Sequence, residues 1–305
     1  MTDHAPVPAV TDQPLGVKRI AAGISLGPEG DDAARLASAL TTATSGDLLL
    51  VVVEPDLPLV IPGADWRKMR RETEALLSRT KASFAPGARV AIDTDLSIPR
   101  GLRRLMSFQH RQLLVTGSRH NGPAGEVSLG NHTRQLLHDL PCALAIAVRG
   151  LSTEPDFRLT TIGVGYDGGE EATAALGTAA GIAAGAGAEL IVRGVIDDRV
   201  PAFGWSRLWG GSLTECWEEV MEDEVRSLRT EIEQATAGLP GTIRSEVRRG
   251  RPSEGLMELS GAVDLLVIGS RRWGPVARLM LGGTGEALAH GSHASLLVVP
   301  RPPAD

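Results

Sequence analysis

Apolar residues recur along this chain in short unbroken runs, separated by longer stretches with helical spacing. Ile20–Ile24, Leu48–Val53, Leu113–Thr116 and Leu144–Val148 are such runs in the first half. Ile162–Gly165, Leu190–Val195, Leu265–Ile268 and Leu296–Val299 are their counterparts in the second. Continuous apolar runs suit strands buried on both faces, as in parallel sheets. Ala88–Asp95 and Thr242–Arg248 are less apolar and are expected at the periphery of a sheet. Between the runs, Trp66, Met69, Thr73, Leu76 and Leu77 share one helical face. So do Trp217, Val220, Met221, Leu228 and Ile232, with Glu224 the exception. Strands alternating with helices predict a doubly wound α/β fold with a parallel sheet covered on both faces.

The pattern occurs twice. Ile20–Val53 aligns with Ile162–Val195 without a gap, at an offset of 142. Leu113–Gly130 aligns with Leu265–Gly282 at an offset of 152, sharing Leu-Leu-Val, Gly-Ser-Arg, Gly-Pro and a final Leu-Gly. The ten extra residues of the second copy fall between Val195 and Leu265, and the loop Pro201–Leu213 is expected to hold them. So long a period means duplicated domains rather than a solenoid. The expected division is a tail over 1–16, domain one over 17–149, a linker over 150–157 and domain two over 158–301. The junction Arg149–Phe157 is polar, with Gly and Pro.

Composition narrows the functions. A length of 305 residues suits two domains, and a formal charge of −6 disfavours a nucleic-acid groove. The tail is polar and Pro-rich, without the basic and apolar regions of a signal peptide. No run approaches the ~18 apolar residues of a membrane span. A cytoplasmic protein without a membrane partner is therefore expected. Cys142 and Cys216 form no metal or disulfide pattern. The lysines are Lys18, Lys68 and Lys81, so the second half has none. That excludes a Walker-type or Schiff-base lysine there and leaves arginine, histidine and backbone N–H groups for anions.

In open α/β sheets, ligands bind beyond the carboxyl ends of the strands. After Leu265–Ile268 come Gly269, Ser270, Arg271, Arg272, Trp273 and Gly274, and further on Gly282, Gly283, Thr284, Gly285 and Glu286. Glycines there allow close backbone approach to a ligand, and Thr284 is a candidate N-cap for a helix at about Glu286–His290. Free N–H groups at such a helix start, with Arg271 and Arg272, would attract a phosphate. Ordinary Gly-rich turns with solvated arginines are the plainer alternative. His132, His138, His290 and His293 carry no metal-binding pattern, and no nucleophile elbow or Cys/His pairing exists. Trp205, Trp209 and Trp217 form either a lid or, more in keeping with their chemistry, an interface or core cluster.

Gly269–Thr284 resembles the signature of the universal stress protein family: Gly, two residues, Gly, nine residues, then Gly and Ser or Thr. Arg272 stands at the second Gly and Gly283 at the Ser/Thr position, with Thr284 next and Gly274 nearby. The resemblance implies further landmarks. Asp167 would be the acidic residue after strand one that faces adenosine, and Val195 would line the adenine pocket. Gly250-Arg251-Pro252 would be the Gly-x-Pro turn. In the first copy Ser25 replaces the aspartate and Ser97-Ile98-Pro99 the Gly-x-Pro turn. His120 and Asn131 depart from its signature, while Gly117, Ser118, Arg119 and Gly130 remain, with Val53 matching Val195.

The resemblance implies ATP or AMP binding, with Mg²⁺ as a candidate companion, better equipped in the second domain. The nucleotide would alter partner interactions or stability. It also implies that Leu144–Val148 and Leu296–Val299 pair within the chain as a pseudo-dimer. A further homodimer stays open, and no protein partner is indicated. Slow ATP hydrolysis and an adaptor without nucleotide are the alternatives. Asp167 is the one well-placed carboxylate, and no catalytic base is evident.

Overall fold

A computed structural model of the chain describes residues 16–55, 65–137, 140–199, 212–270 and 281–300. The first half runs β1 (Arg19–Gly23), α1 (Pro28–Thr44), β2 (Asp47–Pro55), α2 (Trp66–Phe84), β3 (Arg89–Asp95), α3 (Ile98–Phe108), β4 (Leu113–Gly117), α4 (Asn131–Leu137) and β5 (Ala143–Ala147). The second repeats it: β6 (Thr161–Gly165), α5 (Glu170–Ala186), β7 (Glu189–Ile196), α6 (Ser212–Thr236), β8 (Thr242–Arg249), α7 (Pro252–Ser260), β9 (Leu265–Gly269), α8 (Gly283–Leu288) and β10 (Ser295–Val299).

All ten strands form one sheet in the order β3-β2-β1-β4-β5-β10-β9-β6-β7-β8. Every described pairing is parallel except β5 with β10, which is antiparallel and joins the halves. Its register sets Leu296 against Ile146, Leu297 against Ala145 and Val298 against Leu144. The predicted pairing of the last strands therefore stands. The less apolar strands β3 and β8 lie at the two edges, where nearly all their residues stay partly or fully exposed. The central strands β5 and β10 are buried throughout, as their unbroken apolar sequences require.

Cross-links reinforce the join. Val127 N–H donates to the Ser292 carbonyl at 2.7 Å, and Leu129 N–H to that of Ala289 at 3.2 Å. The helices α1 and α5 also pack together. A Cβ on Gly185 would collide with the Ala43 carbonyl, so the small residue permits their close approach. The 150–157 segment is ordered rather than loose, with a single 3₁₀ turn at Leu151–Thr153. Asp32, buried in α1, accepts N–H bonds from Gly150 at 2.9 Å and Ser152 at 2.7 Å, and the Ser152 hydroxyl at 2.6 Å. Arg35 donates to the Glu154 and Pro155 carbonyls. Cys142 is buried, which pushes its thiol up to about 12.

Two expectations need correction. Val220 is exposed although the helical pattern put it on the apolar face; Met221 and Ile232 carry the burial of α6. The copies also align differently after β3 and β8. Gly101 approaches Val53 as Gly255 approaches Val195, an offset of 154. Leu102 packs on Gly23 as Leu256 does on Gly165, at the same offset. Gly250-Arg251-Pro252 thus corresponds to Leu96-Ser97-Ile98, not to Ser97-Ile98-Pro99. Helix starts decide it: Ser97 caps α3 and Arg251 precedes α7.

Candidate functional site

The strand order of each half reverses beside its first strand, between β1 and β4 and between β6 and β9. Diverging connections leave a crevice at such a point. Each half has one there. The second-domain cleft measures about 530 Å³ and the first about 520 Å³.

In the second domain the cleft gathers residues from separate strand ends. Gly165, Tyr166 and Asp167 come from beyond β6, Arg193 and Val195 from β7, and Ile268, Gly269 and Ser270 from β9. Gly282, Thr284 and Gly285 come from the start of α8. Of the residues singled out in the sequence, Asp167, Val195, Gly269, Ser270, Gly282 and Thr284 line this cleft. Gly283 does not, and a Cβ there would meet nothing within 4 Å. Arg271, Arg272 and Gly274 lie outside the described residues, as do Trp205 and Trp209; Trp217 is half-buried on α6.

Each group has a local cause. Asp167 is exposed, and its Oδ1 accepts the Gly169 N–H at 3.1 Å, the turn-forming role its sequence context allows. Its Oδ2 has no hydrogen bond among the described residues. Gly168 takes the left-handed region at φ 80°, which lets the chain turn from β6 into α5. At Gly269 a Cβ would collide with the Glu171 carbonyl, so glycine is required by the close crossing of α5. Ser270 is buried, and its N–H donates to the Val299 carbonyl at 2.9 Å. Thr284 is not the N-cap; Gly282 is, with no side-chain cap bond, and Thr284 lies in the first turn of α8. Glycine at an N-cap leaves the first N–H groups open at the rim.

Several lining residues escaped the sequence reading, Arg193 and Tyr166 among them. Arg193 is buried in mid-strand, and its Nε and Nη2 donate to Glu246 Oε1 at 2.8 and 2.6 Å, and Nη1 to the Gly255 carbonyl at 2.7 Å. A charge inside an otherwise apolar run was its signal. Tyr166 is buried beside Asp167, and burial raises its phenol above the usual range.

In the first domain Val53, Gly117, Ser118, Arg119, Gly130 and Asn131 all line the cleft. The Ser118 hydroxyl is committed to the fold: it donates to the Ala147 carbonyl at 2.8 Å and accepts the Ser128 N–H at 3.2 Å. Across the cleft, Glu29 Oε2 meets His120 Nδ1 at 3.0 Å and Oε1 accepts the Ser25 hydroxyl at 2.8 Å. Burial works to raise the Glu29 carboxyl. The bonds from His120, its own backbone N–H and Ser25, with the His120 charge, outweigh it and hold the carboxyl below the usual range. His290 has Glu286 one turn before it at 3.8 Å and Arg134 at 3.0 Å. Among the described residues no group of three or more His, Cys, Asp or Glu is placed to hold a metal ion.

A doubly wound α/β sheet with a cleft at each switch point defines a two-domain protein of the Rossmann-like class. The family model for the universal stress protein family matches residues 16–149 and again 159–300, and the chain belongs to that family. Among the solved structures to which it is similar over its length are two universal stress proteins. One is a universal stress protein from Archaeoglobus fulgidus, at 16% identity and TM-score 0.63, covering 93% of this chain and 98% of that one. The other, from Pseudomonas aeruginosa, has 16% identity and TM-score 0.61, covering 95% and 96%. A universal stress protein solved in complex with cAMP matches 47% of this chain and 98% of its own, at 24% identity and TM-score 0.33.

Proposed function

We propose that the second domain binds an adenine nucleotide, ATP or AMP, and that the protein acts through the bound state rather than by catalysis. The observation that supports this most is the convergence of Asp167, Val195 and a glycine rim of Gly269, Gly282 and Gly285 on one 530 Å³ cleft at the switch point. That size suits a small ligand. Charge sets the orientation. Asp167 and Glu171 flank Gly169, since a Cβ there would lie 3.1 Å from Asp167 Oδ1 and 3.6 Å from Glu171 Oε2. Phosphates are repelled from that side and belong at the Gly269, Gly282 and Thr284 rim. The free Asp167 Oδ2 then accepts from a ribose hydroxyl, and Val195 meets the base. Arg271, Arg272, Gly274 and Gly283 remain candidates on the phosphate side, with Mg²⁺ as a companion of ATP.

The test is a thermal shift with ATP, AMP and cyclic AMP, with mass spectrometry of the denatured protein for nucleotide carried through purification. ATP is expected to raise the melting temperature without forming ADP. Gly282→Val is expected to abolish the shift; its backbone, at φ −73°, accepts a side chain. Asp167→Asn keeps the turn acceptor and is expected to weaken binding about tenfold. No shift with any nucleotide, or a shift untouched by Gly282→Val, overturns the reading.

A further inference from the structure

We propose that the first domain's cleft binds a different ligand class: a single-chain carboxylate amphiphile of the medium-chain fatty-acid type. The two clefts share position and size but not chemistry. Where the second has Tyr166, Arg193 and Pro252, the first has Ile24, Val51 and Ile98, and all six line their clefts. Leu102 and Leu136 extend the apolar wall. At the mouth Leu26 stands where the second domain has Gly168, and it is 79% exposed while lining the cleft. Leu96, 59% exposed, follows β3, where the second domain has Gly250. Apolar surface continuous from a cleft floor to an open rim is a surface made to be covered.

Two polar groups reverse the trend, Glu54, where the second domain has Ile196, and Thr116. Thr116 lines the first cleft, is 8% exposed, and its Oγ1 is buried without a hydrogen-bond partner; the second domain has Ile268 there. A buried hydroxyl left unpaired costs free energy that a ligand acceptor recovers. Beside it in sequence, Arg119 lines the cleft and makes no ion pair among the described residues. Two carboxylates line the same cleft, Glu29, tied to His120 and Ser25, and Glu54, whose Oε2 pairs with Arg70 at 3.3 Å. An apolar body over Ile24, Val51 and Leu102, an end running out past Leu26, and one anionic head at Thr116 and Arg119, away from the His120-bound Glu29 and the Arg70-bound Glu54, fit these groups.

Isothermal titration of the full chain with dodecanoate, with and without saturating ATP, tests this. One equivalent is expected to bind and to persist with ATP present. Leu26→Glu, at an exposed position, is expected to weaken it about tenfold or more. Thr116→Val, which keeps the shape, is expected to weaken it about fivefold. Circular dichroism melting confirms that both variants fold. Absence of binding, displacement by ATP, or affinity unchanged in both variants overturns the proposal. The result is independent of nucleotide binding in the second domain, which Gly282→Val reads separately.

Discussion

Single residues decide how the sheet's C-terminal rim is used. Arg193 is the clearest case, a guanidinium held inside the protein by Glu246 and the Gly255 carbonyl. Removing one partner of such a pair strands the other charge. Glu246→Ala is expected to cost about 2–3 kcal/mol in urea unfolding, at the lower end because the Glu246 carboxylate is 20% exposed. Glu29 gives a pH signature. Its folded carboxyl lies below the ordinary value of 4.5, so the stabilisation it contributes is complete above that pH. It is lost as pH falls through the lower folded value. Glu29→Gln should therefore destabilise the protein above the ordinary carboxylate value and progressively less as the pH falls below it. A difference that grows toward acid would contradict this linkage.

At the scale of elements, the joining strands carry a direct test. Val299 pairs with Gly269 on β9 and lies outside the β5 register. Leu297 sits within it, opposite Ala145. Leu297→Pro is expected to open the join between the halves, seen as a larger radius in small-angle scattering. The strands were legible because buried strands leave unbroken apolar runs, and the repeat was legible because a duplicated fold keeps its spacing. Peripheral β3 and β8 were legible from their weaker apolar character. The register between Gly250-Arg251-Pro252 and the first copy was not. It depends on which glycine meets Val53 or Val195, a contact between elements distant in sequence. Arg193 was missed for a related reason, since its partner Glu246 lies on the neighbouring strand, 53 residues away. Thr284 suited an N-cap by type, but the helix began one residue before it.

At the scale of the whole molecule, buried residues of both halves form one continuous core. The segment between them is fastened to α1 through Asp32. Asp32→Ala leaves the Gly150 and Ser152 N–H groups without their acceptor and is expected to cost about 2–4 kcal/mol in thermal or urea unfolding. Faster proteolysis at 150–157 should accompany it. Survival of that segment at the wild-type rate would show that Arg35 alone suffices to hold it. The antiparallel seam between β5 and β10 has a further consequence. In an assembly of identical chains, any substitution appears in both pockets at once, so neither can change without the other. Here a single polypeptide supplies both sides of the seam, and the symmetry is no longer enforced. Selection can act on Val51 without touching Arg193, and on Leu26 without touching Gly168, so the two clefts of one molecule are free to diverge in chemistry.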